Sequence, residues 1–409
     1  MKSKPFYGWT VLAALFIIYM ASNGIMQNTW PAILNAVAEE FKFDEKKYGF
    51  LISLNFLIMA IFLPFAGFLA SNFSQKKMII YASIYFIACV GYFQFVTNYN
   101  QLLIFYILFP IGLSLGGLLT SLVIINNWFY KYKGVAVGIF LNASSVGAAV
   151  FSPITGILLK SYGWRSTSCI LAVIVTILVT VPIIFIYNKP SDKNTFPDGN
   201  NKRTVFSNNK SITPSLKSII SNFNFWLLIL ITTALWFVIT GFTFTQILYF
   251  KQLGFDKKES GFISGLFFLC SFLGKIIFGF LSDRYDKKNI FIFSVLNLII
   301  GVVLLRISLF NSHLIWITSI AMGIGYSGCF TMIQLIIAHL YTGKTYSKVL
   351  GIMTMVDTLA ACAGIYLTTT WIKNIVGGFA FPFEIYIYLT IAALLAILML
   401  KKDYKTLND

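Results

Sequence analysis

Apolar runs of about 20 residues alternate with short polar segments along the whole chain, the length needed to cross a hydrocarbon core roughly 30 Å thick. Twelve such runs predict membrane-spanning helices over 8–28, 48–70, 78–97, 101–127, 134–158, 166–187, 223–248, 259–281, 290–310, 314–340, 349–371 and 382–400. The one extended polar stretch, 188–222, is rich in Asn, Ser and Lys and carries Pro190, Pro197 and Pro214. It reads as a flexible cytoplasmic linker between six helices and six. The expected organisation is therefore an all-α membrane protein: an N-terminal half over 1–187, a linker over 188–222 and a C-terminal half over 223–409.

Composition agrees with that pattern. With 58% hydrophobic and 11% charged residues, the chain is not a soluble domain. Its net charge of +17 does not call for nucleic acid, because loop cations set the orientation of helical membrane proteins. Placing both termini in the cytoplasm puts twenty Lys and Arg inside and nine outside, which predicts that topology and an inner (plasma) membrane location. The first run follows Lys2 and Lys4 like a signal peptide. It is long and lacks a small-x-small cleavage site, so it reads as an uncleaved first helix.

The five cysteines lie inside apolar runs without C-x-x-C spacing, and the two histidines are far apart. No metal, disulfide or cofactor is expected. Gly343-Lys344-Thr345 is not a phosphate loop, since Ala338 stands where the earlier glycine belongs. No nucleophile–base constellation suggests an enzyme.

The eighth run, GFISGLFFLCSFLGKIIFGFL, holds one ionisable residue, Lys275. Helical spacing places it on a thin stripe with Ser271, Ser264 and Ser260. A lysine near mid-membrane costs at least about 2.5 kcal/mol on insertion scales. An anionic partner or a watered cavity must offset that cost, so Lys275 is a candidate anchor for a substrate's negative charge. Asp357 in the eleventh run lies at nearly equal depth, on a stripe with Thr354, Ala361, Gly364 and Thr368. Either the two form a fixed structural pair, or substrate takes the lysine and the acid is neutralised by a proton. Desolvation favours the neutral acid and a nearby ammonium the charged one, so the second option would couple anion binding to protonation.

A local repeat relates the halves. Gly67-Phe68-Leu69-Ala70-Ser71-Asn72-Phe73-Ser74-Gln75-Lys76 closes the second run, and Gly279-Phe280-Leu281-Ser282-Asp283-Arg284-Tyr285-Asp286-Lys287-Lys288 closes the eighth. Two such halves about a central site describe a rocking secondary transporter.

At these residues the chain resembles the major facilitator superfamily, which carries a G-x-L-x-D-R-x-G-R-[KR]-like turn after its second and eighth helices. The eighth-helix copy is good, with Asp286 where glycine is usual. The second-helix copy has Ser71 and Asn72 in place of the Asp and Arg. The resemblance implies a conformational latch through Gly67, Gly279, Asp283 and Arg284, with Asp283 docking on the positive end of span eleven. Narrower features resemble the branch of monocarboxylate transporters and oxalate/formate antiporters: Tyr7-Gly8-Trp9, Asn127-Trp128-Phe129, and Tyr162-Gly163-Trp164-Arg165. That branch has a carboxylate-binding arginine spaced R-x-x-x-G-x-x-S-D. Here Lys275, Gly279, Ser282 and Asp283 fill the pattern, keeping the charge and losing the bidentate fork. Where oxalate-type members carry a lysine in helix eleven, this chain has Asp357.

The resemblance also implies which faces line the cavity. They are Tyr19, Asn23 and Gln27 in span one; Asn142, Ser145 and Ser152 in span five; Trp236, Thr240 and Thr243 in span seven; and Ser327, Thr331 and Gln334 in span ten. For each of these residues the competing reading is an ordinary interhelical hydrogen bond. Arg306 is expected to snorkel to the interface, His339 to sit at the inner end of span ten, and Glu384 to be solvated. The function expected is a monomeric secondary transporter of a small organic anion of monocarboxylate type, by symport with protons or by exchange. A zwitterionic substrate such as an amino acid, and a non-transporting facilitator-like receptor, are the alternatives.

Overall fold

The structure, a computed structural model, describes residues 6–129, 132–199, 222–340, 343–375 and 378–400. Among these, all regular structure is helical. The helices are α1 (Gly8–Tyr19), α2 (Trp30–Phe41), α3 (Glu45–Asn72), α4 (Gln75–Phe93), α5 (Tyr99–Gly116), α6 (Leu118–Trp128) and α7 (Lys133–Thr180), then α8 (Phe223–Gln252), α9 (Lys257–Arg284), α10 (Lys287–Ser308), α11 (Ile315–Leu340), α12 (Gly343–Asn374) and α13 (Ala380–Met399). Several of them start at a side-chain cap. Ser74 accepts from Lys77 N, Asn98 from Gln101 N and Asp286 from Asn289 N, and Asp256 forms a capping box with Glu259.

Among the described residues, eleven helical stretches are long and apolar enough to cross a membrane. One of them, Val135–Phe185, has 51 residues, about twice the length a single crossing uses. It folds back at Gly163, whose φ of 72° is left-handed and suits glycine. The described residues thus make twelve spans.

Two spans are broken where the hydrophobic pattern predicts continuous helix. The first does not end near residue 28. It passes through a π-helical turn, Met20–Ile25, and resumes as α2, so the apolar stretch runs to Phe41. The turn forms where Gly24 lies against Gly147 of α7; a Cβ on Gly24 would stand 2.7 Å from the Gly147 Cα. Thr29 Oγ1 donates to the freed Gly24 carbonyl at 3.0 Å. The fourth span breaks at Gly117 (φ −87°, ψ −130°), and Thr120 Oγ1 donates to the Leu115 carbonyl at 2.7 Å.

The helices pack as two compact units, one from Met1–Phe41 with Leu57–Ser207 and one from Lys42–Phe56 with Asn208–Asp409. In the first, Trp30, Phe93 and Phe105 form an aromatic core, with ring centroids 4.8 Å (Trp30–Phe93) and 4.9 Å (Phe93–Phe105) apart. In the second, Tyr249 donates to the Leu305 carbonyl at 2.9 Å and meets Phe379 and Phe383 edge-on.

The segment Lys42–Phe56 thus packs within the second unit although it comes from the first half of the sequence. The Tyr48 hydroxyl donates to the Phe244 carbonyl at 3.0 Å, and Gly49 lies against Thr369. Asp44, just before α3, pairs with Lys373 near the end of α12. Partial burial opposes ionisation of Asp44, but the Lys373 ammonium and the Lys47 backbone N–H outweigh it and hold the carboxyl below its usual range. A depressed carboxyl stabilises the fold above the unfolded value near 3.9 and loses that contribution as pH falls through the folded one. Lys373 is exposed and Asp44 only half-buried, so the pair is worth less than about 1 kcal/mol. Lys373→Ala is expected to lower the melting temperature by at most a few degrees at neutral pH and low salt. The difference should shrink in high salt and below about pH 4.

Candidate functional site

Within the second unit, Lys275 is 7% exposed, in the interior of α9. Its Nζ lies 4.8 Å from the ring centre of Phe330 and 5.8 Å from that of Tyr326, both on α11. Gly274, next to it, packs directly on Ser327, which brings α9 and α11 close enough for the ammonium to reach those rings. Trp236 of α8 meets Phe330 edge-on at 5.8 Å, and its indole Nε1 is buried without a hydrogen-bond partner. The lysine is thus seated against aromatic faces, which attract a desolvated cation.

Asp357 on α12 is 6% exposed, with the side chain of Thr232 on α8 beside it. Its Oδ1 has no hydrogen-bond partner. Ion pairs among the described residues include Arg165–Glu40, Arg306–Glu384 and Lys373–Asp44. A buried polar atom left unsatisfied costs about 1–3 kcal/mol, so the Asp357 oxygen and the Trp236 N–H are groups that a bound molecule can satisfy.

The other second-unit candidates divide. Thr243 Oγ1 is buried and unpartnered, whereas the Thr240 hydroxyl donates to the Trp236 carbonyl of its own helix at 2.6 Å. Ser327 donates to its own Ile324 carbonyl at 2.9 Å while packed on Gly274. Ser271 is fully buried, and Gln334 and Thr331 are half-buried.

In the first unit, Tyr19 packs on Phe140 at 4.7 Å, Asn23 lies in the π-turn and Gln27 is buried. Such turns inside helices are frequent at functional sites. On α7, Ser145 is buried, and Asn142 Oδ1 and Ser152 Oγ are buried and unpartnered.

The repeat motif has a plain structural job in the C-terminal copy. Ser282 donates to the Gly279 carbonyl, Lys287 to the Ser282 carbonyl at 3.2 Å, and Lys288 to the Leu398 and Leu400 carbonyls at 2.9 and 2.6 Å. These cations close helix C-termini. Arg284 stacks on Phe280 at 4.1 Å. Gly67 and the side chains of Asp283 and His339 lie outside the described residues. Arg306 does not simply snorkel: its Nε and a terminal nitrogen donate to Glu384 Oε1 at 3.3 and 3.2 Å, so Glu384 is paired as well.

The narrower sequence features are scaffolding in the first unit. Trp128 Nε1 donates to the Tyr187 carbonyl at 2.8 Å and Asn127 to the Asn188 carbonyl at 3.1 Å, and Tyr7 stacks against Trp128 and Tyr187. Trp164 donates to Glu40 at 2.6 Å, and Arg165 covers the Trp164 ring at 4.3 Å.

A family model of the Major Facilitator Superfamily matches residues 12–265 and again 237–408. The chain belongs to the Major Facilitator Superfamily. Among facilitator relatives, it is 24% identical over 319 residues to the probable galactarate/D-glucarate transporter GarP of Escherichia coli K12, covering 71% of this chain and 70% of that one. It is 25% identical over 172 residues to monocarboxylate transporter 2 of Rattus norvegicus, covering 41% of this chain and 34% of that one. The stretch matched in the Bacillus subtilis MFS-type transporter YcxA is 45% of that protein's length. Other facilitator matches are named as nitrate and multidrug resistance proteins. The solved structure of the nucleoside transporter NupG superposes with a TM-score of 0.74 at 12% identity, over 96% of this chain and all of that one, which shows the facilitator fold. Family and relatives are transporters rather than enzymes, and the chain is a multi-pass membrane transporter of small molecules.

The seat of Lys275, made by Tyr326 and Phe330, and the partner of Asp357, Thr232, escaped the sequence reading. In a chain with 41 phenylalanines and 21 tyrosines, two more aromatic residues carry no signal. The one available cue was that Tyr326 and Phe330 are four apart and therefore share a helix face.

Proposed function

We propose that this facilitator carries a small organic anion of monocarboxylate type by alternating access, with Lys275 as the carboxylate anchor and proton coupling through Asp357. The observation that carries the reading is a lysine buried in a spanning helix against the Tyr326 and Phe330 rings, together with a buried acid, Asp357, whose Oδ1 has no hydrogen-bond partner. A carboxylate bound to the ammonium makes a charge-assisted hydrogen bond, while the rings of Tyr326 and Phe330 offer apolar surface to the rest of a small substrate. The names of two relatives, a sugar-acid carrier and a monocarboxylate carrier, support a carboxylate class. On this reading both termini are cytoplasmic.

The unpartnered Asp357 oxygen favours one second reading: a zwitterion, with its carboxylate on Lys275 and its ammonium on Asp357. Counterflow in proteoliposomes separates the two. Preloaded, labelled monocarboxylates are expected to exchange against external monocarboxylates and not against amino acids. Exchange with amino acids alone selects the zwitterion, and exchange with neither removes the anchor assignment.

A further inference from the structure

The first unit carries a groove that none of the candidate site residues lines. This open groove of about 400 Å³ runs between α4 and the 3-10 turn Val181–Phe185 that follows α7. Its walls are Ile80, Ile84 and Ile87 on one side and Ile183 and Ile184 on the other. Two hydroxyls also face it, yet neither offers a free donor. Ser83 donates to the Ile79 carbonyl at 2.6 Å and Thr180 to the Thr176 carbonyl at 2.7 Å. The groove is therefore apolar in effect, and among the described residues Lys76 at its end is the one charged residue lining it.

The charge at that end is concentrated. Lys76 Nζ lies 4.8 Å from the centre of the Tyr187 ring, and Lys193 Nζ lies 4.4 Å from the same ring and 5.0 Å from that of Tyr7. Asp192, the acid nearest in sequence, turns back to accept from the Lys189 backbone N–H. Among the described residues no carboxylate pairs with either ammonium. Asn188 fixes the mouth: it accepts from Lys76 N at 2.7 Å and donates to Ser74 Oγ at 2.9 Å. Two cations within 5 Å of the centre of one tyrosine ring, with no carboxylate paired to either among the described residues, can both reach a phosphate seated at that end.

The dimensions select what the phosphate is attached to. Lys76, Ile80, Ile84 and Ile87 lie on one face of α4, and the eleven helical rises from Lys76 to Ile87 span roughly 16 Å. That is about one leaflet of a core some 30 Å thick. Tyr7 and Tyr187 sit at the charged end, where interfacial aromatic residues belong.

We infer that this groove binds an anionic phospholipid, with one acyl chain along the isoleucine wall and the headgroup phosphate between Lys76 and Lys193. The purified protein is titrated in detergent with dioleoyl phosphatidylglycerol or dioleoyl phosphatidylcholine, and bound lipid is counted by native mass spectrometry. Phosphatidylglycerol is expected to be retained at least tenfold more strongly. In the double variant Lys76→Ala/Lys193→Ala that preference should vanish, while Lys76→Arg/Lys193→Arg keeps it. Ile84→Trp, which fills the groove from an exposed position, should weaken both lipids without changing the melting temperature. Equal retention of the two lipids by the unaltered protein overturns the inference, as does a preference that survives the double alanine variant. Undiminished phosphatidylglycerol retention in Ile84→Trp overturns the acyl-chain placement and with it the site.

Discussion

Lys275→Ala is expected to abolish anion counterflow while leaving the protein folded and no less stable than before. The loss follows from what the ammonium supplies. A hydrogen bond to a charged group contributes roughly 1.5–3 kcal/mol, and each 1.4 kcal/mol is tenfold in affinity. Below saturation, flux should therefore fall by about tenfold to more than a hundredfold. Lys275→Arg restores the charge but brings a planar fork in place of a compact ammonium. It is expected to recover part of the flux, with a raised KM.

The stability half of that prediction separates an anchor from a structural pin. The ammonium is buried, and a lysine at the centre of a spanning helix costs roughly 2.5–3.5 kcal/mol. Its aromatic seat on Phe330 and Tyr326 returns about 2 kcal/mol at most. Replacing the residue with alanine removes both contributions, and they nearly cancel or leave a small gain. A melting temperature equal to or above the original, together with lost transport, fits a residue kept for its ligand. A drop of many degrees shows that the lysine holds the helices together, and normal counterflow by Lys275→Ala removes it from the substrate path.

The spans were legible because apolar length is written directly in the chain, and Lys275 and Asp357 because a charge inside such a run stands out. The breaks were not, since they depend on what lies opposite. The π-turn at Met20–Ile25 goes with Gly24 meeting Gly147, more than a hundred residues away. Hydroxyl direction was equally hidden: Thr240, Ser327 and Thr243 read alike in sequence, yet the first two donate to their own helices and the third is unpartnered. The Asn127-Trp128 turn pointed to a transporter branch by resemblance. Its physical role, donating to the Asn188 and Tyr187 carbonyls, required the fold. Arg306 and Glu384 were each read alone because nothing in their spacing of 78 residues announces a pair.

Asp357→Asn is expected to split transport into a part that survives and a part that does not. Counterflow exchanges substrate for substrate and needs no net proton movement, so it should persist at near-normal rate. Concentrative uptake driven by an inward proton gradient should collapse toward equilibrium. With one proton per anion, each pH unit of gradient supplies 1.36 kcal/mol, or tenfold in accumulation. The unaltered protein should therefore accumulate substrate about tenfold more for each unit the outside is made more acidic, and Asp357→Asn should show almost no slope. The substitution is nearly isosteric and leaves the Thr232 contact available, so its effect reports the titratable group rather than the packing. Its site has room for a proton's chemistry because Oδ1 is buried and has no hydrogen-bond partner. An unchanged slope moves the proton to another group. A slope that was flat from the start in the unaltered protein means exchange rather than symport, and then Asp357 is left to the ammonium of a zwitterion.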